Sequence, residues 1–298
     1  MEEQVLYGSE KQIKRKQRIR LGIVYAFIVF FAILIIIPFY WMLITSIKTM
    51  AEVQDDPPIL WLAPWNWSLE NFSNAMQRAP FINFIINTVV VATLATAGTV
   101  ITTILTAFAF ARLNFKGRDI LFMAFIATMM LPGEIFVITN YITVSRLGWV
   151  HIEQTYLQAI LAMTVPFMTS IFFIFFLRQA FKQIPDELYY AAKVDGKTDW
   201  QYLWRVMVPI AIPTITTITI LNAMNTWNAY IWPQLVGQRE EFRLVSNGLR
   251  NAGFELDGRM MHNEQMAAAI IVTVPLIIVF ILLKKYIMRG VSRSGIKG

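Results

Sequence analysis

The sequence predicts an all-α integral membrane protein with six transmembrane helices and a cytoplasmic helix-turn-helix segment between the fourth and the fifth. Three observations carry that expectation. The 298 residues are 56% apolar and only 15% charged, too apolar for a soluble domain of this size. Uncharged runs recur along the chain, each near the ~20 residues that cross a hydrocarbon core of ~30 Å. The basic residues cluster at the ends of alternate runs, so the formal net charge of +7 is a matter of topology, and no nucleic-acid partner is expected.

The elements follow in order. Residues 1–20 form a basic N-terminal segment with Lys11, Lys14, Arg15, Lys16, Arg18 and Arg20, and the transmembrane domain is expected over 21–288. Leu21 to Ile47 carries no charge. It exceeds the roughly 7–15 apolar residues of a signal peptide, and no small-residue cleavage site occurs before Pro38, so it is expected to be an uncleaved first helix over 21–47. Lys48 to Pro80 turns polar, with Asp55-Asp56-Pro57-Pro58 as a breaker and Trp61, Trp65 and Trp67 as an interfacial belt. The second crossing, 81–111, is studded with small residues. Gly98, Thr102 and Thr106 lie four apart, as do Ala95, Thr99, Thr103 and Ala107, so two stripes permit close helix packing and place this helix centrally. A third crossing is expected over 120–144, broken at Pro132-Gly133-Glu134, and a fourth over 156–177, closed by Arg178 and Lys182. A fifth spans 210–233. A polar loop, 234–264, precedes a sixth over 265–283 and a basic tail over 289–298.

With the N-terminus inside, nineteen of the 26 Lys and Arg residues fall on the cytoplasmic side. Both termini and the segment 184–209 are then cytoplasmic. The halves of the chain do not mirror each other, which weighs against many secondary-transporter folds.

The segment 184–209 is a polar interruption with strong helix signals. Pro185, Asp186 and Glu187 suit a first turn, where acidic side chains meet the positive end of the helix dipole. Gly196 ends that helix. Leu188, Ala191, Ala192 and Asp195 share one small, mostly apolar face. Trp200, Leu203, Trp204 and Met207 repeat the spacing, which predicts a second short amphipathic helix before Pro209 and Pro213.

This segment resembles the coupling loop of ABC-importer permeases, whose signature is Glu-Ala-Ala-x-x-x-Gly, nine residues, then Ile-x-Leu-Pro. Here it runs Tyr190-Ala191-Ala192, then Gly196, then nine residues to Val206-Met207-Val208-Pro209. Tyr190 stands where the family has glutamate, Lys197 replaces a small residue and Val208 a leucine. Beyond the loop, the chain resembles the shorter, second permease subunit of maltose-type sugar importers. The stretches that carry this are Met130 to Glu134, Leu147-Gly148, Phe176 to Arg178, Asn225 to Pro233, and Arg289-Gly290 with Gly295 to Gly298. The resemblance implies the type I ABC importer permease fold in a bacterial or archaeal cytoplasmic membrane. The implied partners are a second permease subunit, two ATPase subunits, an extracytoplasmic solute-binding protein and a sugar substrate, with membrane lipid around the chain. It also implies that Glu187, Ala191, Ala192, Asp195, Gly196 and Pro209 couple the permease to the ATPase.

The chain has no Gly-x-x-x-x-Gly-Lys-[Ser/Thr] sequence, so ATP hydrolysis is expected in a partner and not in this chain. With no cysteine and two distant histidines, His151 and His262, neither a metal site nor a cofactor is expected. Glu134 is the one acid inside an apolar crossing, where a charge faces a cavity or a partner unless the Pro-Gly break exposes it to water. Asn222, Asn225 and Asn228, with Trp227, are candidates for a solute pathway, because carboxamides bond hydroxyls and indole faces stack on sugar rings. Interhelical hydrogen bonding is the competing role for the asparagines. The alternative functions are an ABC permease for amino acids, peptides or ions, or an ATP-independent channel or secondary transporter.

Overall fold

The computed structural model describes residues 2–55, 57–256 and 258–292; Asp56 of the predicted breaker and residues 293–298 of the predicted tail lie outside them. Fourteen α-helices are described. They are α1 (Glu2–Ser46), α2 (Met50–Val53), α3 (Glu70–Arg78), α4 (Phe81–Arg112), α5 (Arg118–Thr128), α6 (Phe136–Arg146) and α7 (Tyr156–Thr164). Then follow α8 (Ile171–Lys182), α9 (Asp186–Val194), α10 (Asp199–Tyr202), α11 (Val208–Trp227), α12 (Ile231–Val236), α13 (Val245–Asn251) and α14 (His262–Ser292). A two-stranded hairpin, β1 (Glu255–Leu256) and β2 (Arg259–Met260), precedes α14. Among the described residues, four helical stretches are long and apolar enough to cross a membrane, and up to six do so if each of two bent pairs counts as one span.

The chain divides into two compact units. The first comprises Met1–Ala75 and Phe254–Ile271. In it, the C-terminal end of α1 is held by a buried polar knot. The Asn71 amide donates to the backbone carbonyls of Ser46 (2.9 Å) and Lys48 (2.8 Å), and Asn263 donates to the Asn71 carboxamide oxygen at 2.9 Å. Because α1 has run out of i→i+4 partners there, side-chain donors take up its terminal carbonyls.

The second unit comprises Met76–Gly253 and Val272–Gly298. Helix α4 is its axis, with α8 and α11 against it. Ala95, Thr99, Thr103 and Ala107, the predicted small stripe, are all buried. One threonine from each stripe holds the turn between α7 and α8: Thr99 Oγ1 donates to the Phe167 carbonyl (2.9 Å) and Thr102 Oγ1, on the neighbouring stripe, to that of Met168 (2.5 Å). A Cβ on Gly98 would stand 2.5 Å from Met168 Cγ. Only hydrogen fits there.

Several boundaries differ from the sequence expectation. The run 120–144 is not one rod. Its halves meet at 86° across the 3₁₀ turn Gly133–Ile135, which follows Pro132. The run 156–177 likewise bends by 51° after the 3₁₀ turn Val165–Phe167, which contains Pro166, and it extends to Lys182. Proline removes a backbone donor and clashes with the preceding turn, so each apolar run breaks where the pattern of hydrophobicity does not. The fifth run ends at Trp227, not Pro233, and the predicted loop 234–264 contains α13 and the hairpin. The second short helix of 184–209 is not separate either. From Asp199 the chain is helical to Trp227, passing Pro209 by way of a π-turn over Leu203–Met207 in which the Val208 amide donates to the Leu203 carbonyl. The wider turn accommodates the proline without ending the helix.

Candidate functional site

Two regions carry the candidate residues, the loop helix α9 at one end of the second unit and a cavity beside α11. Helix α9 begins at Pro185, with Asp186 and Glu187 in its first turn. It ends in a Schellman arrangement. Gly196 adopts φ +74°, its amide donates to the Lys193 carbonyl (3.0 Å), and the Lys197 amide reaches back to that of Ala192 (2.9 Å). A left-handed residue here resists a Cβ, which is why glycine holds the position.

The face of α9 that packs inward differs from the one expected. Ala192 is 8% exposed and belongs to this chain's own core, with Leu177, Phe181, Ile184, Tyr202, Leu203 and Met207. Leu188, Ala191 and Asp195, predicted to share its face, are exposed, as are Glu187, Tyr190 and Val194. Two adjacent alanines lie 100° apart on a helix. One fills the core and the other points away from it. Val194 is 89% and Tyr190 65% exposed, and Trp200 packs on Trp204 with ring centroids 5.5 Å apart on an exposed surface. Pro209 lies within the continuous helix that starts at Asp199, not at a loop end.

What seats α9 is a residue that sequence reasoning passed over. Arg112, the last residue of α4, was legible only as a basic helix terminus. Its guanidinium, 7% exposed, donates to the Phe181 carbonyl at 3.0 Å, to the Ile184 carbonyl and to the Asp186 carboxylate. One planar fork thus joins the end of α4, the end of α8 and the first turn of α9. A second staple closes the other end. Asp199 Oδ1 accepts from Tyr189 Oη (2.8 Å) and pairs with Lys193 Nζ (2.8 Å). Burial, reinforced by the bond to Asp199, raises the Tyr189 pKa, and the hydrogen bond to Asp199 raises that of Lys193. Both therefore keep their protons, and the staple stays made, throughout the neutral range.

Beside α11 lies a cavity of about 440 Å³, lined in part by Phe167, Thr169, Ser170, Asn222, Asn225 and Trp232. Asn222 and Asn225, three apart, share this face. Asn222 is already engaged, donating to Thr96 Oγ1 of α4 at 3.2 Å. Asn225 is exposed and makes no side-chain hydrogen bond among the described residues. The structure does not bring Trp227 or Asn228 to the cavity. Trp227, two residues and about 200° of helix beyond Asn225, is buried and lines a separate apolar cavity with Leu276 and Phe280. Asn228 ends α11 and donates to the Met224 carbonyl at 2.9 Å. Glu134 sits exposed in the turn between α5 and α6, away from the cavity lining. Thr169, Ser170 and Trp232 are pathway candidates that the sequence did not single out; the bend between α7 and α8 carries the first two there. No group of three or more His, Asp or Glu is placed to hold a metal among the described residues.

A set of membrane-length helices with a pinned loop helix and a largely apolar cavity that carries a few polar groups has the build of a transport-system permease. Residues 100–293 match the family model of the binding-protein-dependent transport system inner membrane component. A probable ABC transporter permease of Mycoplasma pneumoniae is 31% identical, over 98% of this chain and 94% of its own length. A diacetylchitobiose uptake system permease of Streptomyces coelicolor is 24% identical, over 92% and 88%. Among solved structures, a bacterial ABC transporter involved in the import of the acidic polysaccharide alginate shares the fold with a TM-score of 0.77, at 23% identity over 89% of this chain and 96% of that one. The chain belongs to the family of binding-protein-dependent transport system inner membrane components, as an ABC transporter permease. It is a membrane permease component, and its helices have the ABC importer permease fold.

Proposed function

We propose that this chain is one of two permease subunits that together carry a sugar or oligosaccharide into the cytoplasm by alternating access, powered by two cytoplasmic ATPase subunits and supplied by an extracytoplasmic solute-binding protein. Both termini and α9 lie on the cytoplasmic side, as the distribution of basic residues supports. The observation that carries the reading is the build of α9. It is fixed on its inner side to α4, α8 and α10, while Glu187, Tyr190, Ala191 and Val194 face outward without a cover. A helix held so rigidly on one side transmits a push from a partner on the other to the helices behind it. Asn225, with Thr169 and Ser170, presents hydroxyl-matching groups in a cavity that also holds Phe167 and Trp232, a combination suited to a sugar.

The test is Ala191→Asp in the assembled complex. Ala191 is exposed, so the variant inserts and folds normally but loses the co-purifying ATPase or the link between hydrolysis and uptake. Wild-type levels of co-purification, ATPase activity and uptake together would sink the assignment of α9 as the docking element.

A further inference from the structure

The segment between α1 and α3 carries a feature that transport does not use. The apolar run of α1 begins at Leu21, and a ~30 Å hydrocarbon core is crossed by about 20 helical residues at ~1.5 Å each. The far boundary of the core therefore falls near Tyr40 and Trp41. The helix continues past it to Ser46, and the chain then folds back instead of running on into water. Tyr40 Oη donates to the Leu60 carbonyl. Lys48, 2% exposed, lies over the Trp41 ring (5.0 Å to its centroid) and donates to the Ile59 carbonyl at 2.5 Å. The Ser68 amide closes the loop on the Ile47 carbonyl at 2.8 Å.

These tethers bring residues 59 and 60 to the level of Tyr40, more than a turn below the end of α1. The side chains that the returning segment displays are large and apolar. Trp61 is 72% and Trp65 85% exposed, flanked by exposed Leu60 and Leu69. The Trp67 indole is satisfied by the Leu62 carbonyl at 3.1 Å, whereas those of Trp61 and Trp65 have no acceptor among the described residues. An indole with an apolar body and an open N–H belongs where one end is greasy and the other wet.

We propose that residues 59–69 form an aromatic foot that lies in the lipid headgroup–acyl boundary at the C-terminal end of α1, with Tyr40 and Lys48 as the residues that set its depth. Lipid is the occupant that the depth argument selects. A soluble partner would meet the chain beyond the end of α1, and the end of this segment at residues 59 and 60, next to Trp61, has been drawn back below that point. Lys48 serves as a positioning residue, its ammonium spent inside the protein on a carbonyl and a ring.

The absence of cysteine from the sequence makes the test direct. Trp61→Cys, Trp65→Cys and, as a deep reference, Ile28→Cys are each labelled with a small environment-sensitive fluorophore in the full-length permease, assembled with its partners in nanodiscs. The discs contain lipids spin-labelled near the headgroup or near the chain middle. Probes at 61 and 65 should lose more fluorescence to the shallow label, and the probe at 28 more to the deep one. Combining Tyr40→Phe with Lys48→Met should abolish the shallow quenching at 61 and 65 while leaving position 28 unchanged. Probes at 61 and 65 that neither lipid quenches, or that become shielded only on addition of the solute-binding protein, overturn the proposal in favour of a protein partner. An unquenched probe at 28 would also overturn it, by removing α1 from the bilayer.

Discussion

Replacing Arg112 with alanine should loosen α9 without unfolding the helices behind it. The side chain makes bonds to two backbone carbonyls and one carboxylate from a site only 7% exposed. Hydrogen bonds that involve a charged group contribute about 1.5–3 kcal/mol each. Asp186 is 68% exposed, so water replaces much of its partner and that contact counts for at most about 1 kcal/mol. The two carbonyl bonds then account for about 3 kcal/mol at the low end of their range. At roughly tenfold per 1.4 kcal/mol, the detached state of α9 should become on the order of 100-fold more populated. Hydrogen–deuterium exchange reads this directly, as lost protection of amides 189–194 with those of α4 and α8 retained. Arg112→Lys keeps the charge but not the planar fork, and should fall between alanine and wild type. Unchanged exchange in α9 would refute the seating role. An equal rise across α4, α8 and α9 would show instead that Arg112 supports the whole fold.

Ala192→Asp puts a charge in the core shared with Phe181 and Met207 and should cost several kcal/mol; the readout is failure to reach a folded, inserted chain by size-exclusion profile, in contrast to the well-behaved Ala191→Asp. Gly196→Ala has open space for its Cβ, so its cost is the backbone strain at φ +74°, about 1–2 kcal/mol. It should lower the thermal midpoint modestly, and Gly196→Asn should do so less. Asn225→Ala should change uptake rate or solute preference with assembly intact, whereas Asn222→Ala strips Thr96 of its bond and should reduce complex yield; reversed effects would exchange their roles. With the proposed orientation, cysteines introduced at Val194 and Arg146 should react with an impermeant thiol reagent only from the cytoplasmic and only from the outer side, respectively.

The helical membrane architecture was legible in the sequence because its signals are local. An uncharged run of sufficient length, a glycine at a helix end and a stripe of small residues four apart each act within a few residues of themselves. What the sequence left open depends on partners far along the chain. Arg112 lies some seventy residues before its acceptors Phe181 and Ile184, and nothing around it distinguishes it from Lys116 or Arg118. The inward side of α9 was open for the same reason. Leu188, Ala191, Ala192 and Asp195 do form one stripe by spacing, but the core that selects the buried alanine is assembled from α4, α8 and the start of the helix that becomes α11.

The asparagine patch shows where composition misleads and geometry corrects. Asn222, Asn225 and Asn228 attract attention as a cluster, with Trp227 in their midst, yet the helix angle already separates 225 from 227 by about 200°. The structure adds what no periodicity contains: Asn222 has a neighbour on α4, Asn228 is consumed by its own helix end, and Asn225 alone is left facing a cavity with its carboxamide unpaired among the described residues. A polar side chain on a membrane helix that has found no partner in its own chain is available to one from outside it. That is the physical ground for the proposed solute contact at Asn225, and for proposing that Thr169 and Ser170, brought beside it by the bend after Pro166, share it.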